Sequence, residues 1–421
     1  MLDDIERGRG FIAAAHLKET IPGVYRDMKF GEGHTDYVSC VGLLYSMGVR
    51  IFTGEFWHKD GDDWRRSLSD ASSFLRKKID TAMERYLADK EAERKFISVQ
   101  PLMADGTRID IGLNIGSSSP AALEGAKYTD MVGLFRTEFL YMEKPALPDE
   151  QEQFEAYKKI LREYAPRPVT IRTLDIGGDK TLECMNMPRE DNPFLGNRAL
   201  RLCFDKPNIF KTQIRALLRA SVHGSLWIML PMVGSIDDIR RAKSMIDDVR
   251  VELDREDIAC SSETRIGIMV EIPSIALIAD IAAQEVDFAS IGTNDLCQYL
   301  TATDRLNPYV SGYYQSYHPA MFRIIGHVVE EFDKAGKPIC VCGEMGGDKL
   351  AVPVLVGLGL RKLSMGISSV AGIKRVLSTL TMEHAARLAD AVKNMPTAAD
   401  VESYLKKISA EGEFQCKRRA Q

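Results

Sequence analysis

From about residue 97 onward, short apolar runs alternate with helix-patterned segments eight times over, and few folds accommodate such a chain. The runs are IDIGLNIG (109–116), MVGLFRTEF (131–139), VTIRTLD (169–175), LWIMLPMV (226–233), RIGIMVEI (265–272), FASIGTN (288–294), PICVCGE (338–344) and KLSMGIS (362–368). Strand and helix patterns in alternation signal βα units sharing a parallel sheet. Eight units are the number that closes a barrel, so the expected fold is α/β, a (β/α)8 TIM barrel over 97–421. Helical patterns fill the gaps at 151–164, 235–256, 274–284, 320–335 and 350–358. The gap at 176–212 is longer and is read as an inserted loop or hairpin.

Ahead of the barrel, residues 67–96 read as a charged amphipathic connector helix. Ser67 or Ser69 is the expected cap, and Phe74, Ile79, Met83 and Tyr86 recur at helical spacing. Residues 1–66 show no sustained period. A mild net charge of −5 and the lack of any basic run argue against nucleic-acid binding. No apolar stretch approaches the roughly 18 residues of a membrane span, and the acidic start does not suit a signal peptide. Eight scattered cysteines suit reduced thiols in a cytoplasmic protein.

Polar residues that interrupt the apolar runs gather at their downstream ends: Arg136, Glu138, Arg172, Asp175, Glu271, Asn294, Asp295, Cys342 and Glu344. Those ends form the catalytic face of a (β/α)8 barrel. Arg136, Arg172, Arg198 and Arg305 converging on one mouth would repel one another without an anion between them. Arginine binds carboxylate or phosphate through its planar fork, so the implied ligand is small and multiply anionic. Glu271 and Asp295 oppose the arginines as hard oxygen ligands for Mg²⁺, or else pair with the arginines directly. Glycines beside these groups (Gly177, Gly178, Gly292, Gly343, Gly346, Gly347) would let backbone N–H groups approach an anion. Cys340 and Cys342 share a strand face without zinc-type partners. The deeper Cys340 reads as inert, and Cys342 at the mouth as a candidate for proton transfer.

These residues lie in stretches that closely resemble the Enzyme I family of phosphoenolpyruvate–protein phosphotransferases, of the sugar phosphotransferase system. The matching runs are GLFRTEFLYM (133–142), TIRTLDIGGDK (170–180), NPFLGNRALR (192–201), IGIMVEIPSIA (266–276), DFASIGTNDLCQYLTATDR (287–305), VCGEMGGD (341–348) and LGLRKLSMGISSV (358–370). Pyruvate phosphate dikinase and phosphoenolpyruvate synthase share the barrel type, but their ATP-grasp domain would not fit the residues available.

The resemblance implies a Mg²⁺-dependent transfer from phosphoenolpyruvate to a protein histidine, with release of pyruvate. It assigns Arg136, Arg172, Lys180 and Arg198 to the phosphoryl group and enol end, and Asn294 and Arg305 to phosphate and carboxylate oxygens. Glu271 and Asp295 would ligate Mg²⁺, and Cys342, a thiol of ordinary pKa near 8, would protonate the enolate. It also implies a homodimer, and a phosphohistidine domain or HPr-type carrier acting in trans.

The resemblance breaks in residues 1–66, which read as a truncated remnant of the phosphohistidine domain. SMGVRIFTG (46–54) matches the end of that segment, and counting back puts Ser39 where the histidine belongs. A short insertion brings His34 into register instead, and no phosphohistidine is assigned. The competing readings are a non-catalytic module that senses phosphoenolpyruvate or dimerises, and a fragment of a pyruvate phosphate dikinase-like barrel. The presence of Cys342 favours chemistry, since binding alone would not need it.

Overall fold

The computed structural model describes residues 5, 12–18, 30, 34–55, 63–142, 146–177 and 190–411. The chain divides into two compact units, Met1–Lys95 and Phe96–Gln421.

In the first unit, strands β1 (Ala14–Leu17) and β2 (Ile51–Gly54) pair in parallel. Parallel strands need a crossover, and the helix Tyr37–Ser46 lies between them in the chain. The Asp36 carboxylate caps that helix by accepting the Ser39 N–H at 3.1 Å. The helix Trp64–Arg94 follows and begins ahead of both serines expected to cap it. Asp63 takes that role, because its carboxylate accepts the N–H groups of Arg65 and Arg66. Leu17, Tyr37, Val41, Leu75 and Ala82 form the buried centre of this unit. Its strands are four residues long and largely exposed, too short to show a sustained period in the sequence.

The second unit is a closed barrel in the order β10-β3-β4-β5-β6-β7-β8-β9. Its strands are β3 (Asp110–Ile115), β4 (Met131–Phe135), β5 (Pro168–Arg172), β6 (Ser225–Leu230), β7 (Arg265–Val270), β8 (Phe288–Ile291), β9 (Ile339–Val341) and β10 (Lys362–Met365). All neighbouring pairs are parallel. Each strand overlaps one expected run and ends before it does. Arg172 is the last residue of β5, and the other polar residues lie beyond their strands. Asn294 and Asp295, for example, open the helix Thr293–Leu300.

Alternation along each strand divides the core. Val169 and Ile171 of β5 join the large cluster shared with the surrounding helices. Leu134, Met229, Met269, Phe288 and Cys342 form a separate small cluster, with Trp227 against it, that fills the barrel interior. Around the barrel, Glu150–Tyr164 and Ile236–Arg255 begin in capping boxes, Asp149 with Glu152 and Ser235 with Asp238.

Two expectations need correction. Residues 176–212 are not simply a loop or hairpin: helices Leu200–Asp205 and Pro207–Ala220 occupy their later part. Pro207 stands in the first turn of the second helix, where its missing N–H is not needed, so it starts a helix rather than breaking one. The helix expected over 274–284 is two short pieces, Pro273–Leu277 and Ala279–Glu285, separated at Ile278.

Candidate active site at the barrel mouth

The mouth is built around ion pairs that the chain supplies to itself. Arg172 Nη2 meets Glu138 Oε1 at 2.7 Å, and its Nη1 meets Asp175 Oδ2 at 2.9 Å. Asp175 Oδ1 takes Arg198 Nη2 at 2.8 Å. Arg198 and Arg305 then approach Asp295 Oδ1 at 3.9 and 3.8 Å. Arg172, Arg198, Glu138, Asp175, Asp295 and Glu271 are all buried. The arginines therefore need no external anion to keep them apart, contrary to the expectation from repulsion, because carboxylates already separate them.

Among the described residues, three guanidiniums (Arg172, Arg198, Arg305) face four carboxylates (Glu138, Asp175, Glu271, Asp295), one positive charge fewer than the carboxylates. Glu271 registers the deficit: burial, reinforced by Asp295 and Asp175, pushes its carboxyl up to about 8 against the pull of Arg172 and Arg198. Its Oε1 accepts the Met232 N–H at 2.6 Å. Met232, Ala199 and Ala302 adopt left-handed φ values of 54°, 52° and 52°. Such strain in non-glycine residues gathers where surrounding structure fixes a site. Arg172 Nε, Arg198 Nε, Thr173 Oγ1 and Asp295 Oδ1 are buried without a hydrogen-bond partner among the described residues.

Cys342 is buried just past β9, and its Sγ lies 3.6 Å from the Ile291 carbonyl. Burial pushes its thiol up to about 11, with Ser290 and Arg172 pulling the other way. The group is therefore a firmly held proton rather than a thiol of pKa near 8. Burial pushes Cys340 up as well. Asn114 braces the neighbourhood: its amide donates to the Cys342 carbonyl at 2.8 Å, and its side-chain oxygen accepts from Ser364 Oγ at 2.7 Å.

The remaining sequence candidates divide. Arg305 lies at the edge of the cluster. Asn294 is half-buried, its Oδ1 accepting the Glu344 N–H at 3.0 Å. Arg136 is exposed and pairs with no carboxylate among the described residues, although its charge reaches Cys342. Lys180 and Gly178 lie outside the described residues. His34 is exposed in the first unit.

Gly177 and Gly343 sit where a side chain would clash with the walls of the site. A Cβ on Gly177 would stand 2.4 Å from Arg198 Cβ, and one on Gly343 would stand 2.6 Å from the Thr293 nitrogen. Gly177 also has a φ of 116°, which other residues rarely adopt.

Several residues escaped sequence reasoning. Gln213 is buried behind Arg172: its Oε1 accepts the Leu174 N–H at 2.8 Å, and its Nε2 donates to Thr137 Oγ1 at 3.3 Å and Tyr157 Oη at 3.2 Å. Thr137 in turn donates to the Arg172 carbonyl at 3.1 Å. A glutamine on the apolar face of Pro207–Ala220 was the signal available, since buried amides need partners. Gln298 Oε1 accepts the Arg305 N–H at 3.0 Å and so fixes the segment that brings Arg305 back to the mouth.

Comparison with known proteins agrees with this geometry. Residues 90–382 match the model of the family described as PEP-utilising enzyme, PEP-binding domain. The chain is similar to a phosphoenolpyruvate-protein phosphotransferase of Geobacillus stearothermophilus, 45% identical over 359 residues, which cover 85% of this chain and 62% of the relative. Proteins of the same name from Bacillus subtilis (strain 168) and Staphylococcus carnosus (strain TM300) are 43% and 45% identical. Those matches cover 80% and 76% of this chain, and 60% and 56% of the relatives. The chain thus spans about three-fifths of the length of the curated relatives it matches. With a closed (β/α)8 barrel, a buried arginine–carboxylate mouth and a family match across most of its length, the chain belongs to the PEP-utilising enzymes and carries their PEP-binding domain.

Proposed function

We propose that this chain is the phosphoenolpyruvate-handling part of a phosphoenolpyruvate–protein phosphotransferase, passing the phosphoryl group to a protein histidine and releasing pyruvate. The observation that carries this reading is the buried mouth, where the donors Arg172 Nε and Arg198 Nε and the acceptor Asp295 Oδ1 have no hydrogen-bond partner among the described residues. Such a site suits an anion and a cation bound together. The names of the similar proteins point the same way.

Among the described residues, no group of three or more His, Cys, Asp or Glu side chains is arranged to hold a metal. Mg²⁺ needs fewer, because substrate phosphate and water complete its shell around one or two carboxylates. Glu271 and Asp295 fit that requirement: both are hard oxygen ligands, and among the described residues the carboxylates of the cluster outnumber the guanidiniums that face them. When bound there, the ion supplies charge neutralisation for phosphate and for a developing enolate oxygen.

The chain's own groups do the rest. Arg172 and Arg198, with Arg136 at the rim and Lys180 from the segment outside the described residues, hold the phosphoryl group and the enol end. Asn294 and Arg305 hold the remaining phosphate and carboxylate oxygens. Transfer breaks the bond between phosphorus and the enol oxygen, which keeps the electron pair, and forms a bond from phosphorus to a histidine nitrogen. The resulting enolate takes a proton from Cys342 Sγ at its methylene carbon and leaves as pyruvate, and solvent restores the thiol. Positioning and charge stabilisation supply most of the acceleration in such transfers.

The accepting histidine comes from a phosphohistidine domain or an HPr-type carrier in trans. Ligand binding and transfer are therefore separable. Phosphoenolpyruvate should raise the melting temperature only with Mg²⁺ or Mn²⁺ present, and Asp295→Asn should remove that dependence. Incubation with labelled phosphoenolpyruvate should leave this chain unlabelled by mass spectrometry, and should label a phosphohistidine domain added to it. A metal-independent shift would refute the metal site, and a label on His34 would move the acceptor into this chain.

The functional form is a cytoplasmic homodimer. Cys203, Cys260, Cys297, Cys340 and Cys342 are free thiols, and no described helix is long and apolar enough to cross a membrane. Sedimentation at micromolar concentration with Mg²⁺ and phosphoenolpyruvate should give a species of twice the 47.0 kDa chain mass, and a lone monomer would rule the dimer out.

A further inference from the structure

Arg198 closes a turn over residues 190–198 that precedes the helix Leu200–Asp205. The turn braces itself: the Asn197 N–H donates to Glu190 Oε1 at 2.9 Å, and Arg201 Nη1 donates to the Leu195 and Gly196 carbonyls at 2.9 and 3.1 Å. These bonds shape the turn but do not tie it to the opposite wall of the mouth. Tyr299 makes that tie. It lies four residues after Asp295 on the helix Thr293–Leu300, on the same helical face. Its hydroxyl donates to the Phe194 carbonyl at 2.6 Å and accepts from Arg198 Nη1 at 3.3 Å. Met232 Sδ lies 3.7 Å from the same oxygen, and the Phe194 ring centroid is 5.6 Å from the Arg198 guanidinium carbon.

We propose that Tyr299 is a positioning residue whose hydroxyl latches the 190–198 turn to the helix carrying Asp295 and thereby sets the orientation of the Arg198 fork. Nη2 of that fork is held by Asp175, so the contact with Tyr299 fixes its second arm and, through planarity, the direction of the Nε–H, which has no partner among the described residues. Burial pushes the phenol up to about 12, so the latch stays protonated and can donate throughout the working range. A released turn would leave the Arg198 fork hydrogen-bonded to Asp175 alone, with Asp295 no closer than 3.9 Å, and freer to rotate about that contact. An anion would then have to order it on binding, at a loss of affinity.

The proposal rests on the reading of Arg198 as an anion-binding group, and the experiment separates the two. Tyr299→Phe keeps the ring and removes the hydroxyl. In calorimetry with Mg²⁺ it should bind phosphoenolpyruvate about tenfold more weakly, as for one hydrogen bond to a charged partner. The loss should vanish in an Arg198→Lys background, because the hydroxyl acts through the fork. Hydrogen exchange of the 190–198 amides should quicken in ligand-free Tyr299→Phe. Unchanged affinity with unchanged exchange overturns the latch, as do losses that add in full in the double variant. Should the parent protein fail to bind phosphoenolpyruvate, the anion reading falls. Quickened exchange would still uphold the latch in that case, and unaltered exchange would end it.

Discussion

Replacing Arg172 with alanine should lower the unfolding free energy by about 3–5 kcal/mol, the usual result of stripping one partner from a buried ionic network. Arg172 bridges Glu138 and Asp175, and all three side chains are almost wholly buried. The substitution leaves two carboxylates without their shared cation, and relief by protonation is itself unfavourable at neutral pH. Arg172→Lys should recover only part of the loss, since a single ammonium cannot span both carboxylates with the geometry of a fork. Substrate affinity should fall as well, by about 2–5 kcal/mol where the variant remains folded. Urea denaturation read by circular dichroism gives the first quantity and calorimetry the second. An Arg172→Ala protein as stable as its parent would show that the network carries little of the fold's stability.

Removing the Cys342 thiol should suppress a partial reaction that needs no histidine. The barrel with Mg²⁺ should exchange the methyl protons of pyruvate with deuterium from solvent, because enolisation requires only the metal, the arginines and a proton carrier. Cys342→Ala should slow that exchange by at least about 100-fold, the range for loss of a positioned general acid or base. Affinity for phosphoenolpyruvate should change little, as for a group that acts in the transition state. Cys340→Ala should instead leave exchange intact and reduce stability by on the order of 1 kcal/mol, as a small core truncation. Proton NMR of pyruvate in deuterium oxide decides the matter. Exchange at the parental rate in Cys342→Ala would remove the thiol from the chemistry.

The barrel was legible because its signal is local and repeated. A strand buried on both faces must be apolar along its length, and eight such runs separated by amphipathic helices leave little other architecture. Arg172, Glu271, Asp295 and Cys342 were legible for the complementary reason, as polar groups closing apolar runs. Glu138 and Asp175 were visible in the same way, yet their role was not. Whether a carboxylate meets a metal or a neighbouring guanidinium depends on distances across strands, and spacing along one strand does not contain them. The first unit was hidden because its two four-residue strands are too short to show a sustained period.

By itself the sequence determined the eight-unit barrel, the face that carries its polar residues and, through extended motif identity, the family. Each of these depends on residues close in the chain or on their order. Only the tertiary structure decided that the arginines are already paired, that Cys342 holds its proton tightly, and that Gln213, Gln298 and Tyr299 support the mouth from behind. Those properties arise where segments far apart in sequence meet in a buried space. There, loss of water turns each charge into a demand for a partner.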